Sequence, residues 1–94
     1  MKEKTVEANI VKWAKRAEVM TYKFTSPSRR SVPDRIFFYK GRVALLEVKA
    51  PGNKPTPAQA RELARFQQQG ISATWADNAD EAITWLTHTL GTWE

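Results

Sequence analysis

Between Pro33 and Lys49 the chain reads PDRIFFYKGRVALLEVK, two apolar runs joined through Lys40-Gly41 and closed at their ends by charge. Glycine takes positive φ at little cost, so this stretch predicts a tight hairpin with strands over 35–39 and 42–49. With Lys40 and Gly41 as the turn, Tyr39 pairs with Arg42, and counting outward sets Asp34 across from Glu47. Facing residues on paired strands have Cβ atoms roughly 4.5–5.5 Å apart, and like charges there repel. Two ionised carboxylates so placed call for a cation. Period two puts Leu45, Glu47 and Lys49 on one face, which brings a lysine beside the pair. A bulged three-residue loop would shift this register by one, so the pairing is a sharp expectation.

Ninety-four residues suit one domain spanning 1–94 with one core. Cysteine is absent and His88 is the single histidine, which excludes disulfides, thiolate zinc sites, cysteine nucleophiles and any site needing two histidines. A metal here must be held by oxygen, which favours a hard ion such as Mg²⁺ or Mn²⁺. The start MKEKTVEANI lacks the apolar segment of a signal peptide, and no run is long enough to span a bilayer, so a cytoplasmic protein with no membrane partner is expected. The formal charge of +5 is uneven: residues 1–49 carry 12 Lys/Arg against 5 Asp/Glu, residues 50–94 carry 3 against 5. A positive field around carboxylates fits a polyanionic substrate, though a merely solvated basic face would give the same count.

Residues 3–18 predict a helix from the three- and four-residue spacing of Val6, Ile10, Val11, Trp13, Ala14 and Ala17. Glu7 falls in line with Ile10, Val11 and Ala14, so a carboxylate sits on the inward stripe; the alternative is an exposed first-turn glutamate favoured by the helix dipole. Residues 20–25 alternate as a strand that faces Lys23 away from Tyr22 and Phe24. The loop SPSRRS follows, with Arg29 and Arg30 available to phosphates. After the breaker-rich APGNKP, which carries Lys54, Thr56, Pro57 and Gln59 mark a capped helix over 57–69, its inward residues Ala60, Leu63, Ala64 and Phe66, ending at Gly70. That capping box gives Gln59 a complete structural role. Residues 71–76 form a strand, and Asn78 caps a last helix that carries His88 and closes at Gly91. Trp75, Trp85 and Trp93 are expected in the core or at a subunit contact. The order is helix, three strands as a meander, helix, strand, helix: a small α/β domain.

Pro33-Asp34 followed after twelve residues by Glu47-Val48-Lys49 resembles the PD-(D/E)xK nuclease signature. The wider pattern VPDRIFF…LLEVKAPGNKPTPAQ is similar to the VRR-NUC (virus-type replication-repair nuclease) family within it, over the span from Glu7 to about Trp75. Glu-x-Lys alone is a weak signal and Pro-Asp alone marks only a turn; in order, with a glutamine-bearing helix downstream, they are specific. The resemblance implies a restriction-endonuclease-like αβββαβ(α) core, a central mixed sheet of about four strands flanked by helices, in a minimal stand-alone form. It implies that Asp34, Glu47 and the Val48 carbonyl ligate Mg²⁺ or Mn²⁺, with Glu7 as an outer or second-metal carboxylate. Lys49 would be the catalytic lysine and Gln59 an active-site helper, with Lys23, Arg29, Arg30, Arg35 and Lys54 on the DNA side. One position departs: the family usually has glycine before Val-Pro-Asp, and here it is Ser31. By the same resemblance the protein is expected to be a homodimeric endodeoxyribonuclease that resolves Holliday (four-way) junctions, in the cytoplasm of a bacterial or phage-infected cell.

Other readings remain open at the level of sequence. One is a nuclease acting on flaps, nicks or plain duplex DNA; another is a non-catalytic nucleic-acid-binding domain that keeps the basic surface. A third is a structural hairpin in which Lys49 pairs with Glu47 or Asp34. Opposed carboxylates beside phosphate argue against the binding module, and the scarcity of buried ion pairs retained for stability alone argues against the third.

Overall fold

The computed structural model describes residues 2–92, so Trp93 lies outside the described residues. Elements run α1 (Glu3–Arg16), β1 (Met20–Lys23), β2 (Arg35–Tyr39), β3 (Arg42–Val48), α2 (Pro57–Gln68), β4 (Ser72–Ala76) and α3 (Ala79–Leu90). They form one sheet in the order β1-β2-β3-β4. The first three strands are the antiparallel meander read from the sequence, and β4 joins β3 in parallel after the crossover through α2.

The sheet separates two apolar layers. Phe37, Ala44, Leu46 and Val48 pack with Val6, Ile10 and Ala14 of α1 and Ala82, Leu86 and Leu90 of α3, with Trp85 against them. Leu45 and Ala73 on the other face pack with Leu63 of α2, with Phe24, Ile36, Phe66 and Trp75 around them. The alternation of β3 is what divides its residues between the two layers, and it sends Glu47 to the α2 side with Leu45.

Helix ends explain the boundaries. Helix α1 stops at Arg16, two residues short of the expected end, in a Schellman motif: the Val19 N–H donates to the Ala14 carbonyl at 2.8 Å and the Glu18 N–H to Lys15 at 3.3 Å. This motif needs a left-handed residue, and Glu18 takes it with φ 61°. Helix α2 ends in the same motif at Gly70, and its start is the expected capping box, Thr56 N–H to Gln59 Oε1 at 2.9 Å and Gln59 N–H to Thr56 Oγ1 at 3.2 Å. Its inward face differs from expectation. Ala60 and Ala64 are exposed, while Glu62 is buried beside Leu63. The reason is that Glu62 meets arginine from the 26–31 loop, a partner that helical periodicity cannot reveal.

Candidate active site

The hairpin turn sets the site. Lys40 and Gly41 both have positive φ, 46° and 83°, as a two-residue turn of type I′ demands, and Lys40 Nζ lies 5.1 Å from the Tyr39 ring centre. Tyr39 pairs with Arg42, Phe37 with Ala44 and Arg35 with Leu46. No bulge intervenes as far as the last pair, Arg35 with Leu46, and Asp34 and Glu47 are the next residues along the two chains.

Asp34 lies just beyond β2, where its carbonyl accepts the Phe24 N–H at 2.8 Å and its Oδ2 accepts the Val48 N–H at 2.8 Å. That second bond shows the Val48 backbone turned toward β2, while the next N–H, from Lys49, turns the other way to the Ala76 carbonyl at 2.9 Å. Pro33, directly before Asp34, has no N–H to offer a strand partner.

Glu47 is 3% exposed, and burial pushes its carboxyl up to about 7, with the neighbouring Asp34 charge adding to the rise and Lys49 opposing it. Asp34 is also raised, first by burial; its bond from Val48 and the charges of Lys49 and Lys23 pull the other way. Lys49 Nζ stands 3.6 Å from Glu47 Oε2 and its side chain is largely buried. Lys23, exposed at the end of β1, is close enough to act on Asp34.

Glu7 and Arg35 are arranged differently from the sequence reading. Arg35 is withdrawn from the surface, 9% exposed, so the place of a phosphate contact given to it by sequence does not fit its position. Its Nη1 donates to Glu7 Oε2 at 2.8 Å and its Nε to Thr21 Oγ1 at 3.2 Å. Glu7 thus reaches the site edge, where its charge raises Asp34, yet its carboxylate is tied to Arg35. Among the described residues, no three His, Cys, Asp or Glu side chains gather closely enough to hold a metal by themselves. A cation here would take Asp34, Glu47 and the Val48 carbonyl, an all-oxygen set that suits a hard divalent ion.

Gln59 holds the α2 cap with Oε1, which leaves Nε2 as its means of reaching a substrate. Lys54 is exposed in the 50–55 loop, whose Gly52 N–H donates to Asp77 Oδ2 at 3.0 Å. Arg30 is exposed, whereas Arg29 is bound to Glu62. Ser31 is not among the residues with positive φ, so the loop runs into Pro33 without the conformation that glycine would supply. A cavity of about 580 Å³ between the end of α1 and the hairpin tip, lined by Met20, Phe38 and Arg42 among others, lies at the opposite end of β2 and β3 from the carboxylates. Half-buried Asp34 and buried Glu47 do not line this cavity.

A meander, a crossover helix and a parallel fourth strand, carrying Asp and Glu-x-Lys at the strand ends, define the PD-(D/E)xK class of nuclease folds. No protein-family model matches the chain. It is 40% identical over 81 residues to "Putative nuclease p44" of Acyrthosiphon pisum secondary endosymbiont phage 1, covering 85% of this chain and 87% of that one. Two solved structures share the fold: a "VRR_NUC domain" with TM-score 0.82 at 22% identity, covering 92% of this chain and 95% of the other, and a "VRR_NUC domain protein" with TM-score 0.80 at 18% identity, covering 98% and 90%. The chain belongs to the VRR-NUC family.

Proposed function

We propose that the protein is a Mg²⁺- or Mn²⁺-dependent endodeoxyribonuclease that hydrolyses phosphodiester bonds in branched DNA, as a homodimeric four-way junction resolvase. The observation that supports this reading is that Asp34 lies near enough to raise the Glu47 carboxyl, with Lys49 Nζ at 3.6 Å from Glu47. The name of the phage relative supports nuclease chemistry, and the net charge of +5 supports a polyanionic substrate. Asp34, Glu47 and the Val48 carbonyl would hold the ion. When bound, it supplies Lewis-acid polarisation of the phosphoryl oxygen and lowers the pKa of a ligated water.

The chain's own groups do the rest. Lys49 Nζ, anchored beside Glu47, donates hydrogen bonds to the attacking water or a phosphoryl oxygen and offsets the negative charge that grows as the P–O bond to the leaving oxygen breaks. Asp34 is held in orientation by the Val48 N–H, so the pair keeps its spacing before substrate arrives. Arg35 fixes Glu7 at the edge and offsets part of its charge, which keeps a third carboxylate from adding fully to the repulsion between the first two. No covalent enzyme intermediate is required.

The test is cleavage of junction, flap, nicked, single-stranded and duplex DNA with Mg²⁺ and with Mn²⁺, for wild type and Lys49→Ala. The variant is expected to bind junctions within about threefold of wild type and to cleave them at least a hundredfold more slowly, the scale of losing a transition-state charge contact. Equal losses of binding and cleavage would favour a binding module. Equal cutting of linear duplex and junction would remove the resolvase assignment.

A further inference from the structure

A cluster of arginines lies against α2, apart from Asp34 and Glu47. The 28–31 loop and Ala58, Arg61, Glu62 and Arg65 of α2 enclose a cleft of about 450 Å³. Four of these residues are arginines, Arg29, Arg30, Arg61 and Arg65, facing a single carboxylate. Glu62 is 5% exposed and uses Oε1 for both partners: Arg29 donates to it through Nε at 2.8 Å and through Nη2, and Arg65 Nε lies at 3.3 Å. The Arg29 guanidinium holds the Glu62 carboxyl below its usual range, so the organiser stays ionised. The loop itself is closed by a bridge between Ser26 and Arg29.

Pairing Glu62 needs only one arginine. Among the described residues, Arg30 and Arg61 have no carboxylate partner, and Arg61 and Arg65, four apart on α2, repel each other. A buried glutamate that fixes two guanidiniums while others stay uncompensated is a preorganised receptor for an anion with several oxygens, which guanidiniums bind in bidentate fashion. The loop enters Pro33-Asp34 directly, and Ser31 and Asp34 are three residues apart. Their Cα atoms are thus at most roughly 10 Å apart, about three nucleotides at ~3.4 Å per step along one strand.

We propose that this cleft, built on Glu62, binds a backbone phosphate of the DNA substrate a few nucleotides from the bond that is cut, with Arg30, Arg61 and Arg65 as its contacts. The proposal rests on the nuclease reading for its substrate and adds residues to it. Arg61 and Arg65 become substrate-positioning residues, and Arg29 becomes the tether that joins the loop to α2.

The experiment measures fluorescence anisotropy of a labelled junction in EDTA across a salt series, for wild type, Arg30→Ala/Arg61→Ala, and Lys12→Ala/Lys15→Ala on α1 as an equal charge loss elsewhere. Neither arginine has an ion pair to break, and thermal melts check that both variants stay folded. The cleft variant is expected to lose at least tenfold in affinity and to lower the slope of log K against log salt by about one, as one lost phosphate contact requires. The α1 variant should change affinity less than threefold. Equal affinity and slope for the cleft variant and wild type overturn the proposal, as does an equal loss in the α1 variant. Titration with inorganic phosphate separates the source: binding of free phosphate that the cleft variant loses while its DNA affinity is unchanged overturns the DNA assignment. Wild-type cleavage measured in parallel keeps the two readings apart. A protein that binds DNA through the cleft but cuts nothing loses the nuclease reading and keeps the cleft, and one that cuts with variants binding normally does the reverse.

Discussion

Glu47 sits where ionisation is opposed by burial and by Asp34, and this makes the stability of the protein sensitive to pH. Its carboxyl moves from an ordinary 4.5 to about 7 on folding, so between those values the folded chain holds more protons than the unfolded one. Stability must therefore fall as pH rises from 4.5 to 7 and stay lower above it, by on the order of 3 kcal/mol. The upward shift of Asp34 acts in the same direction. In EDTA, Glu47→Gln should unfold at a higher urea concentration than wild type at pH 8 and close to it at pH 5, and Mg²⁺ should narrow the gap by stabilising only wild type. Identical midpoints at pH 8 would mean that Glu47 carries no such strain. The register from Tyr39–Arg42 to Arg35–Leu46 could be counted from the sequence because a two-residue turn fixes every pairing after it. The Glu7–Arg35 pair could not. Helical spacing assigns Glu7 to a face and strand alternation assigns Arg35 to another, but neither says that α1 covers the face where Arg35 points.

At the scale of elements, each helix end shows why boundaries read well in some places and poorly in others. Helices α2 and α3 close at Gly70 and Gly91, residues whose sequence signal and left-handed geometry agree. Helix α1 closes at Glu18, which bears the same geometry without the signal, and the expected end accordingly overran by two residues. A side chain in the left-handed region costs roughly 1–2 kcal/mol, part of which glycine gives back through the entropy of the unfolded chain. Glu18→Gly is expected to stabilise the domain by about 0.5–1 kcal/mol, read from urea midpoints, with cleavage unaffected because the position lies at the far end of α1 from Glu7. A destabilised variant would show that Glu18 makes interactions beyond its backbone. The inward face of α2 illustrates the opposite difficulty: alanines look like core by pattern, yet Ala60 and Ala64 face solvent while Glu62 is covered by an arginine from thirty-three positions earlier.

The whole molecule measures 34 × 32 × 21 Å with a radius of gyration of 12.5 Å, close to the ~12 Å expected of a compact chain this long. One such body offers one carboxylate edge, while resolving a four-way junction takes two cuts in strands of matching polarity. A two-fold dimer supplies both with a single interface design. Sedimentation at micromolar concentration should then give twice the 10.7 kDa chain mass, and junction products should be paired nicks. A monomer under these conditions would confine the activity to single cuts. The charge surplus of residues 1–49 was plain in the sequence, but the way α2 returns Arg61 and Arg65 from the acidic half to the basic loop was not, since only the crossover brings them together.

Pro33 has a consequence for how such a site is kept through evolution. It is fully buried and would pass for packing, yet a ladder continued past Arg35 and Leu46 would find no N–H there for the Val48 carbonyl. Pro33→Ala would supply that N–H, which would compete with a metal for the carbonyl proposed as its ligand. The variant is expected to bind Mn²⁺ at least fivefold more weakly by calorimetry with every ionisable group in place, and an unchanged affinity would exclude the carbonyl as a ligand. If the proposed site holds a metal, selection for stability and selection for cleavage pull on that single imino nitrogen in opposite directions, and a sturdier sequence would lose the ion before any charged residue changed.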